Sequence, residues 1–421
     1  MAGVSMPPLA PPARIRRDYD VQRRHLPRVQ RCAQDLMRFA SAAPESLTAE
    51  LDRRLRSAFA ECWNVPYYQD LFAARGYGRH DVRSLEDLAS LPLLSRSSLA
   101  RHWTQMLRAD TGPGELCAVL SSGSTGEPLR VLKDGFDQVH MWACLRFWRR
   151  WLGLKGAPRV ALLDSLPGGL EYEASLPLFH DGELRRISLV QERPLERLAE
   201  FAPSVVFTDP AGLHAALGAC LPGVELWLSS AQYLPPDVRT AFAAPLINYY
   251  ATTESGPIAW ECLRETGRFH VMAPDVFVES AAGELVVTRL RESAFPLLRY
   301  QTGDQGVVGQ GRCACGARGW WIEGFSGRRA CWFRTPAGSR VDAWQLAWLF
   351  KQHTLREFRF TQVRGSCFVL ELVEPREGPT LRHELDRALR ALGWAQPEVQ
   401  VRVGVTLPLM AKPQPFVCEC P

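Results

Sequence analysis

The sequence lacks any run of 18 apolar residues, so we expect no helix that spans a bilayer. Its first residues are rich in proline and lack a charged segment followed by an apolar one, which argues against a secretory signal. We therefore expect a cytoplasmic protein. In such a reducing compartment its 12 cysteines should be buried thiols or metal ligands rather than disulfides.

The sequence also has no large excess of one charge. Its 50 basic and 45 acidic residues give a net charge of +5, which argues against nucleic acid as the main partner. Lysine is scarce: only Lys133, Lys155, Lys351 and Lys412 could supply a catalytic amine, although a general preference for arginine explains the scarcity equally well. With 421 residues, 46% of them hydrophobic, the chain is long enough for two or three globular domains.

The pattern of apolar residues changes along the chain. A spacing of four predicts a helix over 46–63. From about residue 119 to 287, short β-rich runs alternate with helical patterns, which predicts an α/β domain with largely parallel strands. Beyond Gly327, three strand-like runs and one helix predict a small α+β domain, so we divide the chain into 1–327 and 328–421.

The most informative segment is Ser121-Ser-Gly-Ser-Thr-Gly-Glu-Pro, which lies between two strand-like runs at 117–120 and 129–132. Glycines let a loop turn its backbone N–H groups towards one point, and hydroxyls add donors, so the loop could hold a polyphosphate. No Gly-Lys-Ser/Thr follows, so it is not a Walker loop. A serine-rich surface turn is the alternative.

Four later stretches follow this loop in order: Ser229-Ser-Ala-Gln; Tyr250-Ala-Thr-Thr-Glu; Glu284-Leu-Val-Val-Thr-Arg-Leu with Phe295-Pro-Leu-Leu-Arg-Tyr-Gln-Thr-Gly-Asp; and Gly327-Arg-Arg. Together with the loop, they resemble the adenylate-forming superfamily and in particular its phenylacetate-CoA ligase branch. The resemblance covers nearly the whole chain. It implies that 1–327 is an AMP-binding domain and 328–421 a C-terminal lid domain.

The resemblance also implies which residues bind ATP and AMP. They are Ser121, Ser122, Gly123, Ser124, Thr125, Gly126, Ser230, Ala231, Gln232, Tyr250, Ala251, Thr252, Thr253, Asp304 and Arg328.

Four of the matched residues have chemically distinct roles in such a site. Tyr250 would offer a flat face to adenine, Thr253 would bind the α-phosphate, and Asp304 would accept hydrogen bonds from both ribose hydroxyls. Glu254 would supply the hard oxygen ligand that Mg²⁺ requires. Taken singly, these could be a core aromatic, a turn cap, an Asx turn and a solvated carboxylate.

The resemblance extends to Thr406-Leu-Pro-Leu-Met-Ala-Lys-Pro, where the family carries its catalytic lysine, so it implies that Lys412 acts with Thr253 and Glu254. A positioned ammonium would offset the negative charge that develops when a carboxylate attacks the α-phosphorus. The match is imperfect: Ala411 stands where the family has Gly, and Pro413-Gln-Pro-Phe stands where it has basic residues. A solvated lysine near a chain end is the alternative.

A second group of residues suggests a metal. Cys262, His270, Cys313 and Cys315 supply three thiolates and one imidazole, a closed tetrahedral set of the structural zinc type. Members of the resembled branch carry a similar Glu-Cys, a nearby His and a later Cys-x-Cys-Gly. We expect Zn²⁺ to clamp the loop after Glu254, with buried free thiols as the alternative.

The function these residues predict is ATP-dependent activation of a carboxylic acid, by resemblance an aromatic one, followed by transfer to a thiol. The thiol is that of coenzyme A or of a phosphopantetheinyl carrier protein. We expect the acid to lie among Phe136, Trp142, residues 165–170 and residues 230–232. Transfer to an amine and a catalytically silent, zinc-stabilised nucleotide-binding protein remain alternatives, and a homodimer remains open.

Overall fold

The computed structural model describes residues 13–14, 17–112, 114, 116–120, 129–164, 171–180, 182–189, 191–231, 234, 236–281, 283–326, 331–346, 349–350, 358–373, 379–406 and 415–420. The helices within these ranges are α1 Arg17–Phe39, α2 Pro44–Cys62, α3 Pro66–Arg75, α4 Arg96–His102, α5 Gly135–Trp151, α6 Pro194–Phe201, α7 Pro210–Ala215, α8 Pro236–Thr240 and α9 Pro379–Ala391. Short 3₁₀ turns add Leu85–Ser90, Pro177–Phe179 and Ala343–Leu346. None of the helices in the described ranges combines the length and apolarity needed to cross a membrane.

Most of the strands belong to the first three quarters of the chain. They are β1 Ala13–Arg14, β2 Cys117–Leu120, β3 Arg130–Lys133, β4 Arg159–Asp164, β5 Tyr172–Leu176, β6 Gly182–Ser188, β7 Val205–Thr208, β8 Leu226–Ser229, β9 Leu246–Thr252, β10 Gly256–Glu261, β11 Phe269–Val271, β12 Val276–Ala281, β13 Glu284–Arg289, β14 Tyr300–Arg312 and β15 Arg318–Ser326. The later strands are β16 Trp332–Arg334, β17 Arg340–Asp342, β18 Phe358–Arg364, β19 Cys367–Leu372, β20 Glu398–Val403 and β21 Phe416–Cys418.

A 13-stranded sheet in the described residues runs in the order β1-β5-β6-β4-β7-β8-β9-β10-β11-β15-β14-β13-β12. Strands β6, β4, β7, β8 and β9 pair in parallel, as the alternating pattern predicts, so the α/β fold class is confirmed. From β9 to β12 every neighbouring pair is antiparallel, which the prediction of largely parallel strands did not include. The hairpin connections there, such as 253–255 and 313–317, are too short for a crossover helix.

Helix α5 packs one face of this sheet and carries part of the site at its start. The side chain of Asp134 caps the helix by accepting a hydrogen bond from the N–H of Asp137 at 2.8 Å. Buried residues then recur three or four apart, among them Val139, Ala143 and Phe147. The helix lies against β10, and the carboxylate of Asp137 in its first turn contacts Arg289 and Arg291.

The residues from 331 onward form a separate hydrophobic core around a four-stranded sheet ordered β20-β19-β18-β21. Phe333, Phe360, Phe368 and Trp394 are buried there and contact one another through their rings. Helix α9 covers the sheet with Leu381, Leu385 and Leu389. The predicted boundary at 327/328 falls at residues outside the described ranges.

Candidate active site

The hairpin between β9 and β10 places Glu254 in the interior. The turn consists of residues 253–255, and Ser255 N–H donates to Thr252 Oγ1 at 3.0 Å, which fixes its shape. Glu254 is only 4% exposed, yet its Oε1 accepts hydrogen bonds from Arg96 Nη1 at 2.9 Å and from the Tyr300 hydroxyl at 3.1 Å. The guanidinium of Arg96 thus gives this buried carboxylate a cationic partner.

Arg96 contacts Glu254 because backbone hydrogen bonds hold the chain just before it, at Leu94, against β14. Leu94 N–H donates to Arg299 O, and Gln301 N–H donates to Leu94 O, both at 2.9 Å. Ser95 then caps α4 by accepting from Ser98 N–H at 3.1 Å. The first residue of α4 is therefore held beside Tyr300, and its guanidinium lies on the carboxylate of Glu254.

A second contact ties the same hairpin to β14. The hydroxyl of Tyr250 donates to Asp304 Oδ2 at 2.8 Å, and both residues are buried. Strands β9 and β14 lie four strand spacings apart in the sheet order, about 19 Å if the sheet were flat, so the sheet must curl at this point. Each of the two strands thus contributes a tyrosine: one binds Asp304 on β14, and the other binds Glu254 at the end of the β9–β10 hairpin.

Tyr250 itself is a core residue. Its ring centroid lies 4.4 Å from that of Phe325, and burial raises the pKa of its hydroxyl. One face of the ring is therefore occupied by protein. The prediction that Tyr250 stacks on adenine stays a prediction.

A buried network of charged side chains binds the backbone of this hairpin. Arg289 Nη2 donates to the carbonyl of Glu254, and Arg291 Nη2 donates to the carbonyl of Ser255 at 2.7 Å. Asp137 accepts from the two guanidiniums at 3.0 and 3.1 Å and from Ser293 Oγ at 2.6 Å. Burial alone would raise the pKa of Asp137, but the two arginines and Ser293 hold it well below its usual range.

A cavity of about 440 Å³ opens beside the hairpin and extends under α5. Thr252 and Gly256 line it at the hairpin end. Its remaining walls are formed in part by Lys133, Trp142 and Tyr249. A cavity of this size beside the Glu254 hairpin can enclose a small organic molecule.

The predicted site residues are only partly within the described chain. Ser230 and Ala231 follow β8, and Ala231 has a left-handed backbone with φ of 78°. Ser121, Ser122, Gly123, Ser124, Thr125, Gly126, Gln232, Arg328 and Lys412, together with residues 165–170, lie outside the described residues. Ala251 and Thr253 are half-buried on the hairpin, and Ala251 lines the cavity.

Two expectations about the acid pocket differ in outcome. Trp142 lines the cavity as expected. Phe136 instead packs into the core, with its ring centroid 5.7 Å from that of His140 and the guanidinium carbon of Arg28 at 4.0 Å, and it is not among the cavity-lining residues described. Its neighbour Asp137 faces the cavity because the helix turns by about 100° per residue.

The sequence did not single out Arg96, Tyr300, Arg289, Arg291 or Lys133 for the site. Lys133 is one of only four lysines and ends β3, the strand after the Ser/Gly-rich loop, which was an available signal. Burial lowers the pKa of its ammonium. The arginines could not be distinguished by sequence among the many others.

The four predicted metal ligands come together between β10, β11 and the β14–β15 turn. Their ligand atoms all lie within 4.8 Å of one another. Cys262 Sγ and Cys313 Sγ are 3.6 Å apart, and Cys315 Sγ is 3.3 Å from His270 Nε2. A tetrahedral Zn²⁺ site with ordinary bond lengths requires edges of about 3.8 Å between sulfurs and about 3.6 Å between sulfur and nitrogen, so the geometry fits that ion.

The electrostatics of this Cys-His cluster also suit a cation. Burial lowers the pKa of His270 to about 4, so the imidazole is neutral at pH 7, as a ligand must be. Burial and the neighbouring thiols Cys313 and Cys262 raise the pKa of Cys315 to about 12. A bound dication is the group that would allow three such sulfurs to be thiolates together.

A further Cys-His-Asp group, Cys32, His140 and Asp275, is also buried. Asp275 Oδ2 accepts from Cys32 Sγ at 3.0 Å and lies 2.8 Å from His140 Nε2, while Oδ1 accepts from Arg54 at 2.9 Å. Each ligand atom is thus already hydrogen-bonded, and the guanidinium disfavours a cation. We interpret this group as a structural hydrogen-bond network.

Comparison with known proteins gives matches in sequence and in fold, while no family model matches the chain. Phenylacetate-coenzyme A ligase of Thermus thermophilus is 26% identical over 308 residues, which cover 65% of this chain and 68% of that protein. The enzyme of the same name from Aromatoleum evansii is 23% identical over 309 residues, covering 64% and 68%. A 2-hydroxyisobutyryl-CoA ligase structure in complex with its acyl-adenylate and CoA superposes with a TM-score of 0.57 at 15% identity, covering 90% of this chain and 91% of that one.

The chain is thus similar in sequence to phenylacetate-coenzyme A ligases and similar in fold to a 2-hydroxyisobutyryl-CoA ligase. These matches support the resemblance to the adenylate-forming superfamily and to its phenylacetate-CoA ligase branch.

Proposed function

We propose that the protein is an ATP-dependent, AMP-forming acid-thiol ligase that converts a carboxylic acid to its acyl-adenylate and then to a thioester of coenzyme A. One observation supports this best: the two buried carboxylates, Glu254 and Asp304, each accept a hydrogen bond from a tyrosine on the strand that carries or precedes the other. The cavity, which is large enough for a small acid, opens at the same hairpin. A nucleotide spanning the two carboxylates would have its α-phosphate next to the cavity mouth.

In the first step, a carboxylate oxygen of the acid attacks the α-phosphorus of ATP. The bond from that phosphorus to the bridging oxygen breaks, and pyrophosphate leaves with the electron pair. Asp304 would fix the ribose and Thr253 the α-phosphate, so that attacking and leaving oxygens are in line. The fixed hairpin matters because a small displacement of the phosphorus would lose that alignment.

In the second step, the thiolate of coenzyme A attacks the acyl carbon, the bond to the adenylate oxygen breaks, and AMP leaves. The segment 328–421 is proposed as the lid that changes position between the two steps. A phosphopantetheinyl carrier or an amine could replace coenzyme A as acceptor without changing the first step.

The residues at Glu254 fit Mg²⁺. Both described contacts to its carboxylate use Oε1, so Oε2 is the atom that would hold the ion, with the remaining ligands coming from phosphate and water. Mg²⁺ would neutralise phosphate charge during the first step. Arg96 would neutralise Glu254 when the ion is away.

The direct test is acid-dependent exchange of labelled pyrophosphate into ATP, across a panel of aromatic and aliphatic acids. We expect exchange that requires the acid, followed by an acyl-CoA product whose mass identifies the acid. Exchange without a thioester, but with product on added amine or carrier, would reassign the acceptor. If no acid supports exchange while ATP still binds, the silent binding protein is the better description.

Lys412→Ala should reduce pyrophosphate exchange by about 100-fold or more, because one charge that stabilises the transition state is lost. ATP affinity, measured by calorimetry, should change little. Lys155→Ala is the matched control because Lys155 is exposed in a surface turn. Undiminished exchange in Lys412→Ala would exclude this lysine from the first step.

We also propose that Cys262, His270, Cys313 and Cys315 bind one structural Zn²⁺ that fixes the strand leaving the Glu254 hairpin. Elemental analysis of protein purified without added metal should give about one zinc per chain. Cys313→Ser should lower both the zinc content and the thermal midpoint, whereas Cys220→Ser, at an exposed thiol, should change neither. A metal-free protein of unchanged stability would contradict the proposal.

A further inference from the structure

The cavity beside the hairpin holds more positive charge than its own acidic group neutralises. Lys133, Arg289 and Arg291 line it, and Asp137 is the carboxylate among the lining residues described. Three cations less one anion leave an excess of two charges. Outside the lining residues, Glu254 pairs directly with Arg96 and Asp275 with Arg54, while both carboxylates also act at longer range on the cations of the cavity.

Several of these cationic groups have unmet hydrogen-bonding capacity. The side chain of Arg291 is 5% exposed, and its Nε and Nη1 atoms are buried without a hydrogen-bond partner in the described residues. Arg289 Nε is likewise buried without a hydrogen-bond partner in the described residues. These atoms have almost no accessible surface, so they do not donate into the cavity, and the two guanidiniums act on a ligand there through their positive charge.

Lys133 supplies the cationic donor group of this wall. No hydrogen bond or ion pair of its ammonium is present among the described contacts. Burial lowers its pKa, Asp137 opposes that shift, and the two arginines reinforce it. An anion bound within reach would favour the charged form of the lysine.

The rest of the cavity suits a hydrophobic body. Trp142, Tyr249, Leu162 and Leu184 line it with rings and aliphatic carbons. A ligand that satisfies both parts has an apolar frame with an anionic group directed at the cationic wall. The reacting carboxylate does not supply this negative charge during both steps, because it becomes uncharged when it forms the mixed anhydride with AMP.

We propose that the acid activated by this protein carries a second anionic group, in the simplest case a second carboxylate, which is bound by the ammonium of Lys133 and favoured by the positive charge of Arg289 and Arg291. This inference rests on the proposed function, since it names the substrate class of the same site. It narrows that class from an aromatic acid to a diacid with an apolar frame.

The test compares each diacid with its monoamide, which has nearly the same shape but lacks the second charge. The panel consists of the benzenedicarboxylic and phenylenediacetic acids and straight-chain diacids, with benzoate and phenylacetate as monoacids. In pyrophosphate exchange we expect kcat/KM for the preferred diacid to exceed that of its monoamide by about 10- to 100-fold, the effect of losing one charge-assisted hydrogen bond.

Lys133→Met should remove most of this preference by raising KM for the diacid by about 10-fold or more, with little change for the monoamide. Lys133→Arg should keep part of it, and Lys155→Met, at an exposed lysine, should keep all of it. Equal kcat/KM for diacids, monoamides and monoacids would overturn the inference and leave the ligase function standing. An equal loss on all acids in Lys133→Met would place this lysine at the reacting carboxylate and overturn it as well. Failure of every acid would overturn the ligase function, and this inference with it.

Discussion

Glu254→Gln should reduce acid-dependent pyrophosphate exchange by about 100- to 1000-fold, the range seen when one preorganised electrostatic contact to a transition state is removed. The amide keeps the shape of the side chain and can still accept from Arg96 and Tyr300, so the fold should survive. What is lost is the negative charge that would hold Mg²⁺ on the phosphates. The concentration of Mg²⁺ at half-maximal rate should therefore also rise.

Glu323→Gln is the matched control for this substitution. Glu323 lies on β15 in the same sheet, is about half exposed, and forms an ion pair with Arg268 rather than with a site residue. Its exchange rate should equal that of the unmodified protein. If Glu254→Gln exchanged pyrophosphate as fast as Glu323→Gln over a range of Mg²⁺ concentrations, Glu254 would have no part in the first step.

Asp137→Asn should destabilise the protein by about 3–5 kcal/mol, because breaking a buried ion pair leaves its partner charge uncompensated. Arg289 and Arg291 are both buried against this carboxylate, so two guanidiniums would lose their counter-ion at once. The same arginines hold the carbonyls of Glu254 and Ser255, so the hairpin should loosen together with the core. The change is measured from the urea midpoint and the slope of the unfolding curve.

An exposed ion pair provides the comparison. Asp110 pairs with Arg108 at 2.7 Å, but its side chain is 54% exposed, so Asp110→Asn should cost no more than about 1 kcal/mol. Adding Arg291→Met to Asp137→Asn should recover part of the loss, since one orphaned charge is then removed. Equal, small effects at Asp137 and Asp110 would mean that water reaches the buried network.

The elements that the sequence predicted well are those with a regular apolar repeat. The structure has α2 at Pro44–Cys62 against the predicted 46–63. Helix α1 was missed because its buried positions, such as Val29, Ala33 and Leu36, are set among arginines and interrupted by Pro27. Its burial comes from contact with α5, which no local pattern encodes.

In the candidate site, too, the sequence predicted the contiguous motifs but not the contacts that depend on the folded sheet. The segment 250–254 and Asp304 were identified from motifs, because each motif is contiguous in sequence. The hydrogen bonds from Tyr250 to Asp304 and from Tyr300 to Glu254 depend on the curl of the sheet, which follows from the packing of its antiparallel half. The excess positive charge of the cavity arises from Lys133 on β3, Arg289 at the end of β13 and Arg291 after it, which approach one another only in the folded protein.

A crystal structure of the protein with a non-reactive acyl-adenylate analogue and Mg²⁺ tests the central claim most directly. We predict that the ribose hydroxyls lie within hydrogen-bonding distance of Asp304, the phosphate mimic beside Thr253, and the acyl group in the cavity lined by Trp142 and Lys133. An analogue bound away from Asp304, or one whose acyl group lies outside that cavity, would contradict the account.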